Sequence, residues 1–319
     1  MLNKTIQAVR DGQKFLVLAH EAPDGDALGS TLALVNALRE MGKQATAFNA
    51  DGVPEKLKFL PGSDQVVSRI DSSEFFDTVF VLDAGELRRV RLDVRPICTT
   101  LVNVDHHPFS EDFGDIYYVD TEASATAAML YRVLKGLNYS FSTAVALCIY
   151  TAIISDTGSF RYSSANSEAF AVAGEMVAAG VDPWLVAGEL YESQEVERLQ
   201  LLGLALTTLK VFAGGQCATM YVTEQMFAEV GAIAELADSF VNYPRSINGV
   251  EVAMFLRQTS TTSFKLSMRS KGTVDVGALA RELGGGGHHN AAGAEMIGTI
   301  DEVLQTTIER IEPLLTVAV

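Results

Sequence analysis

The hexapeptide Val102-Asn103-Val104-Asp105-His106-His107 constrains this chain more than any other stretch. A short β-branched run ending in an acid and two imidazoles reads as a strand that delivers three polar side chains to a sheet edge. Two other apolar runs end in the same manner: Phe15 to Ala19 leads into His20, and Thr78 to Leu82 into Asp83. Helical spacing fills the intervals, at Asn3 to Arg10, at Ala27 to Met41 with its stop at Gly42, at Ser124 to Leu137, and at Thr143 to Ile154, which runs into Asp156. Strands alternating with helices predict an α/β domain with a mainly parallel sheet, where ligands sit outside the carboxyl ends of the strands.

A length of 319 residues predicts two domains. Helical patterns at Glu168 to Ala179 and Pro183 to Tyr191 complete the first, expected over residues 1–191. Apolar residues at Val196, Leu199, Leu202, Leu206 and Leu209 read as a connecting helix, within a helical linker over 192–210. From Val211 the pattern shifts to short strands. Ala218 to Val222 is one, and Val250 to Arg257 and Ser263 to Arg269 form a hairpin followed by a helix from Val274 to Leu283. This predicts a smaller α+β domain over 211–319.

The net charge of −16 and pI near 4.7 exclude a protein that holds long duplex nucleic acid on a broad basic surface. Short anionic substrates remain compatible if positive charge is local or comes from metal. Cys98, Cys148 and Cys217 are odd in number and widely spaced, which suits a reducing compartment. The N-terminus has no secretory pattern and no apolar run reaches membrane-spanning length, so a soluble cytoplasmic protein without a membrane partner is expected.

Of the five histidines, three lie in the strand-end motifs, at His20, His106 and His107, and the other two, His288 and His289, adjoin a four-glycine run. Asp24 and Asp26, which follow His20, have an ordinary reading as helix caps. Together with Asp83, Asp105 and Asp156 they make five acids expected at one crevice. Two carboxylates about 4 Å apart repel by roughly 4 kcal/mol at an effective dielectric near 20, so such a group requires cations. Mixed imidazole and carboxylate donors suit Mn²⁺, with Fe²⁺, Co²⁺ or Zn²⁺ also compatible, better than Ca²⁺. A pair of divalent ions would clamp a phosphoryl group and generate hydroxide at neutral pH.

These motifs resemble those of the DHH phosphoesterases. The triplet is Asp105-His106-His107, a first motif matches His20, Asp24 and Asp26, a second matches Asp83, and a fourth matches Ser155-Asp156-Thr157-Gly158-Ser159-Phe160. The resemblance implies that His20, Asp24 and Asp83 hold one metal, and that Asp26, Asp83, His106 and Asp156 hold the other. Asp105 and His107 then fall to catalysis, Asp105 orienting an imidazole or transferring a proton, and His107 contacting the substrate phosphate. Arg161 is within reach of phosphate, or is an ordinary surface arginine.

The glycine run Gly284 to Gly287 with His288 has an ordinary reading as a helix stop and flexible turn. Similarity to the C-terminal domain that accompanies DHH domains instead implies nucleotide binding by Gly285, Gly286, Gly287 and His288, with Ser270 and Arg269 on the accompanying strand. Arg257 and Arg269, at the ends of neighbouring strands, either grip a phosphate or are hairpin-end charges.

Within the family the chain resembles the bacterial nano-RNase and pAp-phosphatase group. This implies hydrolysis of short oligoribonucleotides to mononucleotides, and of pAp to AMP, through attack by metal-activated hydroxide. A phosphodiesterase for cyclic dinucleotides or their linear products is the nearest alternative. A family II pyrophosphatase and a catalytically dead nucleotide sensor rank lower. Homodimers occur in the family, although no stretch here announces an interface.

Overall fold

The computed structural model describes residues 1–71 and 73–315. Contacts divide the chain into two compact units, one through Ser193 and one from Gln194 onward, each with its own sheet and core.

The first unit runs α1 (Leu2–Asp11), β1 (Lys14–Ala19), α2 (Gly25–Glu40), β2 (Gln44–Phe48), β3 (Phe76–Leu82), β4 (Cys98–Asp105), β5 (Ile116–Val119), α3 (Thr126–Gly136), α4 (Thr143–Asp156), α5 (Ser167–Ala178) and α6 (Pro183–Tyr191). The strands lie in the order β2-β1-β3-β4-β5, and all neighbours are parallel. Edge strands β2 and β5 were not foreseen from sequence. Phe15, Val17, Phe80, Leu82, Val102 and Val104 face the helical layer, whereas Leu16, Leu18, Val79, Val81 and Leu101 pack under a covering that includes Val90 and Val94. Burial on both faces explains why these strands read as unbroken apolar runs rather than alternating ones.

Strand order reverses between β1 and β3, because the chain goes from β1 outward to β2 and then returns to β1's other side. Ligands gather at such a switch point. Ala19 lies opposite Leu82, and Leu82 opposite Val104. The next residues, His20, Asp83 and Asp105, therefore leave three adjacent strands level with one another, at a strand spacing of about 4.8 Å.

Two helices complete this edge, α2 after His20 and α4 ending at Asp156. They touch along Gly29, where an added Cβ would lie 2.7 Å from the Cys148 carbonyl oxygen and 2.9 Å from the Ala152 Cβ.

The second unit runs α7 (Val196–Thr207), β6 (Lys210–Phe212), β7 (Cys217–Val222), α8 (Glu224–Val230), α9 (Asn242–Arg245), β8 (Val252–Ser260), β9 (Ser263–Ser270), α10 (Val276–Glu282), β10 (Gly286–His288), β11 (Ala291–Ile297) and α11 (Ile300–Ile311). Its sheet has the order β10-β11-β9-β8-β7-β6, with β7 and β8 parallel and the other neighbours antiparallel. Met254, Leu256, Leu266 and Met268 pack with Leu279, Leu304 and Ile308 on one face, while Met220, Ala253 and Phe255 pack with Leu201, Leu202 and Phe240 on the other.

Two features add detail to the reading by sequence. The stretch expected as a linker contains α7, whose Leu201, Leu202 and Ala205 are buried in this second core. Within the glycine run, Gly286 and Gly287 belong to the edge strand β10 and pair with Gly293 and Ala292, which the ordinary reading as a flexible turn does not describe.

Close contact at Gly29 gives a first test. Gly29→Val should lower stability by about 1–3 kcal/mol through overpacking, measured by urea denaturation. An unchanged midpoint would mean that α2 and α4 part without cost.

Candidate metal centre

Asp83 is the centre of the arrangement. It follows β3 with φ of 56°, in the left-handed region that non-glycine residues seldom adopt, and is only 2% exposed. One carboxylate oxygen, Oδ2, lies 3.6 Å from His20 Nε2, and the other, Oδ1, lies 3.5 Å from both His106 Nε2 and His107 Nδ1. Strained backbone held by surrounding structure is common at functional sites.

Each imidazole is oriented by its other contacts. His20 Nδ1 is 2.6 Å from the Glu21 carbonyl oxygen and His106 Nδ1 is 3.3 Å from that of Ala123. Since a carbonyl only accepts, these nitrogens carry the protons and Nε2 faces the acids. His106 Nε2 also lies 3.6 Å from Asp156 and 3.8 Å from Asp26. His107 donates through Nδ1 to Asp105 Oδ1 at 2.8 Å. Asp105 is fully buried, and its Oδ2 has no hydrogen-bond partner among the described residues.

Asp24 and Asp26 are both caps and members of the cluster. Asp24 Oδ1 accepts from the N–H groups of Asp26 and Ala27, each at 3.0 Å, at the start of its own helix α2. Asp26 instead caps α3, one hundred residues away in sequence: it accepts from Thr126 N at 2.6 Å and Ala127 N at 3.0 Å. Thr126, which sequence reasoning missed, also donates its hydroxyl to Asp83 Oδ1 at 3.1 Å. The signal available was Ala125 at an N-cap position where Ser, Thr or Asp is usual.

Ligand atoms gather in three sets, each within 4.8 Å: His20, Asp24 and Asp83; Asp26, His106 and Asp156; and Asp83, His106 and His107. No lysine or arginine pairs with Asp24, Asp26, Asp83 or Asp156 among the described residues. Asp26 and Asp83 are buried, Asp156 half-buried and Asp24 exposed; crowded acids of this kind without basic partners are balanced by protons or cations, so the donor set fits divalent metal.

The protonation pattern has the same cause. Burial pushes Asp26 well above the ordinary carboxylate range, and Asp83, Asp156 and Asp24 push it further against the pull of His106. Burial opposes ionisation of Asp83 too, but the neighbouring His106, His20 and His107 imidazoles prevail and hold it well below that range. Burial opposes charging His106, yet Asp83, Asp26 and Asp156 raise it to about 10. Asp156 is pushed up to about 6, chiefly by burial. His107 is likewise raised, burial being outweighed by Asp105 and Asp83.

The residues expected to bind substrate are dispersed. Arg161 is exposed and its Nε donates to the Gly158 carbonyl at 2.6 Å. In the second unit, Arg269 lies opposite Ala253, and Arg257 four residues further along β8, about 13 Å away at 3.3 Å per residue. The two arginines are therefore not neighbours in the hairpin ladder. Ser270 is buried and its Oγ accepts from Asn290 Nδ2 at 2.8 Å. Gly285 and Gly287 abut β11 so closely that a side chain on either would strike its backbone, whereas a Cβ on Gly286 meets nothing within 4 Å. The side chain of His288 lies outside the described residues.

Acids and imidazoles grouped in this way serve hydrolytic chemistry on phosphoesters with divalent cations. Residues 14–153 match the DHH family, N-terminal domain, and residues 214–314 match the DHHA1 domain; the chain belongs to the DHH family. It is 33% identical over 301 residues to the bifunctional oligoribonuclease and PAP phosphatase NrnA of Thermus thermophilus, covering 94% of this chain and 90% of that one. Against the protein of the same name from Bacillus subtilis the identity is 28%, with 93% of each chain covered. Among solved structures, an exopolyphosphatase-related protein from Bacteroides fragilis superposes with a TM-score of 0.92 at 30% identity, over 98% of this chain and 96% of that one. No single helix among the described residues is long and apolar enough to cross a membrane.

Chelator-treated protein should lose thermal stability as pH rises. His106, Asp26 and Asp156 bind protons more tightly when folded. Their contribution is complete below the unfolded values, roughly 4 for the acids and 6.5 for the imidazole. For His106 it disappears as pH passes about 10. Asp83, held low, contributes in the opposite sense, and its share is lost only below roughly pH 4. Melting temperature should therefore decline from about pH 6.5 to 10, more steeply than in His106→Gln. A flat profile would contradict a proton-filled cluster.

Proposed function

We propose that this protein is a metal-dependent phosphoesterase that hydrolyses short oligoribonucleotides to mononucleotides and pAp to AMP. The observation that carries this reading is the level emergence of His20, Asp83 and Asp105 from adjacent strands, in a chain similar over nearly its whole length to relatives named for those activities.

His20, Asp24 and Asp83 would hold one divalent cation, and Asp26, Asp83, His106 and Asp156 a second; Mn²⁺ suits this mixture of donors. Two such ions lower the pKa of water and neutralise charge on a phosphoryl group. The chain's own groups do the rest. Asp105 fixes the His107 ring by accepting its Nδ1–H, and the neighbouring acids favour the charged ring. His107 would then donate Nε2–H to a phosphate oxygen as negative charge develops there.

The second unit would bind a nucleotide of the substrate. Gly286 would let a phosphate or ribose approach the backbone of β10, with Ser270, His288 and one or both of Arg257 and Arg269 contributing, and Gly285 and Gly287 supply the close packing that supports the strand. Arg161 would contribute from the first unit. Limited contact of this kind suits substrates of a few nucleotides in an acidic, cytoplasmic protein.

Activity is tested by incubating Mn²⁺-loaded protein and Asp83→Ala with pApA, pAp, cyclic di-AMP and pyrophosphate in parallel. Cleavage of pApA and pAp that falls to background in Asp83→Ala is expected. Preferential attack on cyclic di-AMP would shift the reading to second-messenger degradation, and inertness toward all four with metal bound would refute it.

Gly286 separates binding from folding. Gly286→Val should raise KM for pApA several-fold and leave kcat and the melting temperature unchanged, the pattern of lost uniform binding. An unaltered KM would remove the glycine strand from substrate recognition.

A further inference from the structure

The segment from Ala123 to Ala127, which joins β5 to α3, touches three members of the cluster at once. Ala123 offers its carbonyl to His106 Nδ1 at 3.3 Å. Thr126 and Ala127 give their N–H groups to the two oxygens of Asp26. Thr126 Oγ1 donates to Asp83 Oδ1 at 3.1 Å. Thr126 is completely buried, so its hydroxyl has no recourse to solvent.

The segment is itself anchored from several sides. Asp120 N donates to the Asp105 carbonyl at 3.1 Å, and Asn166 Nδ2 to that of Glu122 at 2.9 Å. Arg132 of α3 bonds Asp120 and both carboxylate oxygens of Glu168. Ala125, at the N-cap, has no side chain to satisfy the first N–H groups of α3. Those groups are consequently left for Asp26, where a serine or aspartate cap would compete for them.

Asp83 must keep its two oxygens apart, one toward His20 and one toward His106 and His107. Rotation of the carboxylate about its terminal bond is soft, and the nearest imidazole nitrogens, at 3.5–3.6 Å, lie beyond ordinary hydrogen-bond distance. A hydroxyl donor on Oδ1 does fix it.

We infer that the Thr126 hydroxyl is a positioning group that holds the Asp83 carboxylate in its bridging orientation and thereby sets the affinity of the centre for divalent cations. This rests on the metal-dependent reading above. Partners of metal ligands typically change metal affinity by about 10–100-fold when removed. Thr126→Val is nearly isosteric, keeps the backbone N–H on Asp26 and deletes only the donor.

The test compares full-length wild type, Thr126→Val and Thr126→Ser by calorimetric titration with Mn²⁺, alongside the Mn²⁺ dependence of pApA hydrolysis. The valine variant should bind Mn²⁺ about 10–100-fold more weakly, with its activation curve displaced to higher metal by a similar factor. The serine variant should bind like wild type. Should valine not fold, Thr126→Ala carries the same comparison. Wild-type affinity in the valine or alanine variant, or a serine variant as weak as valine, would overturn the inference while leaving the proposed function intact. Wild-type protein that takes up no divalent cation would overturn the metal-dependent reading itself.

Discussion

A single imidazole nitrogen, Nε2 of His106, lies 3.5–3.8 Å from three different carboxylates. That crowding is the constraint around which the first unit is built. Acids at this separation, largely out of water and with no lysine or arginine paired to them among the described residues, cannot all be charged unless something positive stands among them. The parallel sheet supplies the position, since the ends of β1, β3 and β4 are level. Helices α2 and α4, in contact at Gly29, bring Asp26 and Asp156 to the same edge. The left-handed turn at Asp83 is the local cost of aiming one carboxylate at several imidazoles, a cost of order 1–3 kcal/mol that only surrounding packing sustains.

The second unit follows a different logic. Its sheet is covered on both faces and its hairpin β8–β9 is ordinary in construction, yet its edge is made of glycine. Glycine is a poor strand former, and the reason for its use differs from one position to the next. At Gly285 and Gly287 the strand β11 comes too near for any side chain. At Gly286 there is open space, which packing does not require and which a ligand can use.

The parts legible in the sequence were those fixed by local pattern. Phe15 to Ala19 and Thr78 to Leu82 announced themselves because a strand buried on both faces is apolar throughout, and an acid or imidazole just past such a run has nowhere to go but the sheet edge. Gln44 to Phe48 and Ile116 to Val119 escaped notice: they are short edge strands, one of them opening on Gln-Ala-Thr. Helix α11 was legible and overlooked, for Thr299 and Glu302 form a capping box. How far Arg257 lies from Arg269 was not legible, because hairpin register, not sequence proximity, decides which residues meet. For Thr126 the sequence offered only the indirect sign of an uncapped helix start at Ala125, its contacts being made across the fold.

Because Asp26 terminates α3 in place of a residue from that helix's own chain neighbourhood, the first turn of α3 and the carboxylate cluster share the same hydrogen bonds. Fraying, which ordinarily begins at helix ends and costs little, is here coupled to disassembly of the cluster. The amides of Thr126 and Ala127, held by Asp26, should thus exchange more slowly than is usual at a helix terminus. Whatever occupies the cluster becomes part of the local opening equilibrium, and occupancy and amide protection rise and fall as one quantity.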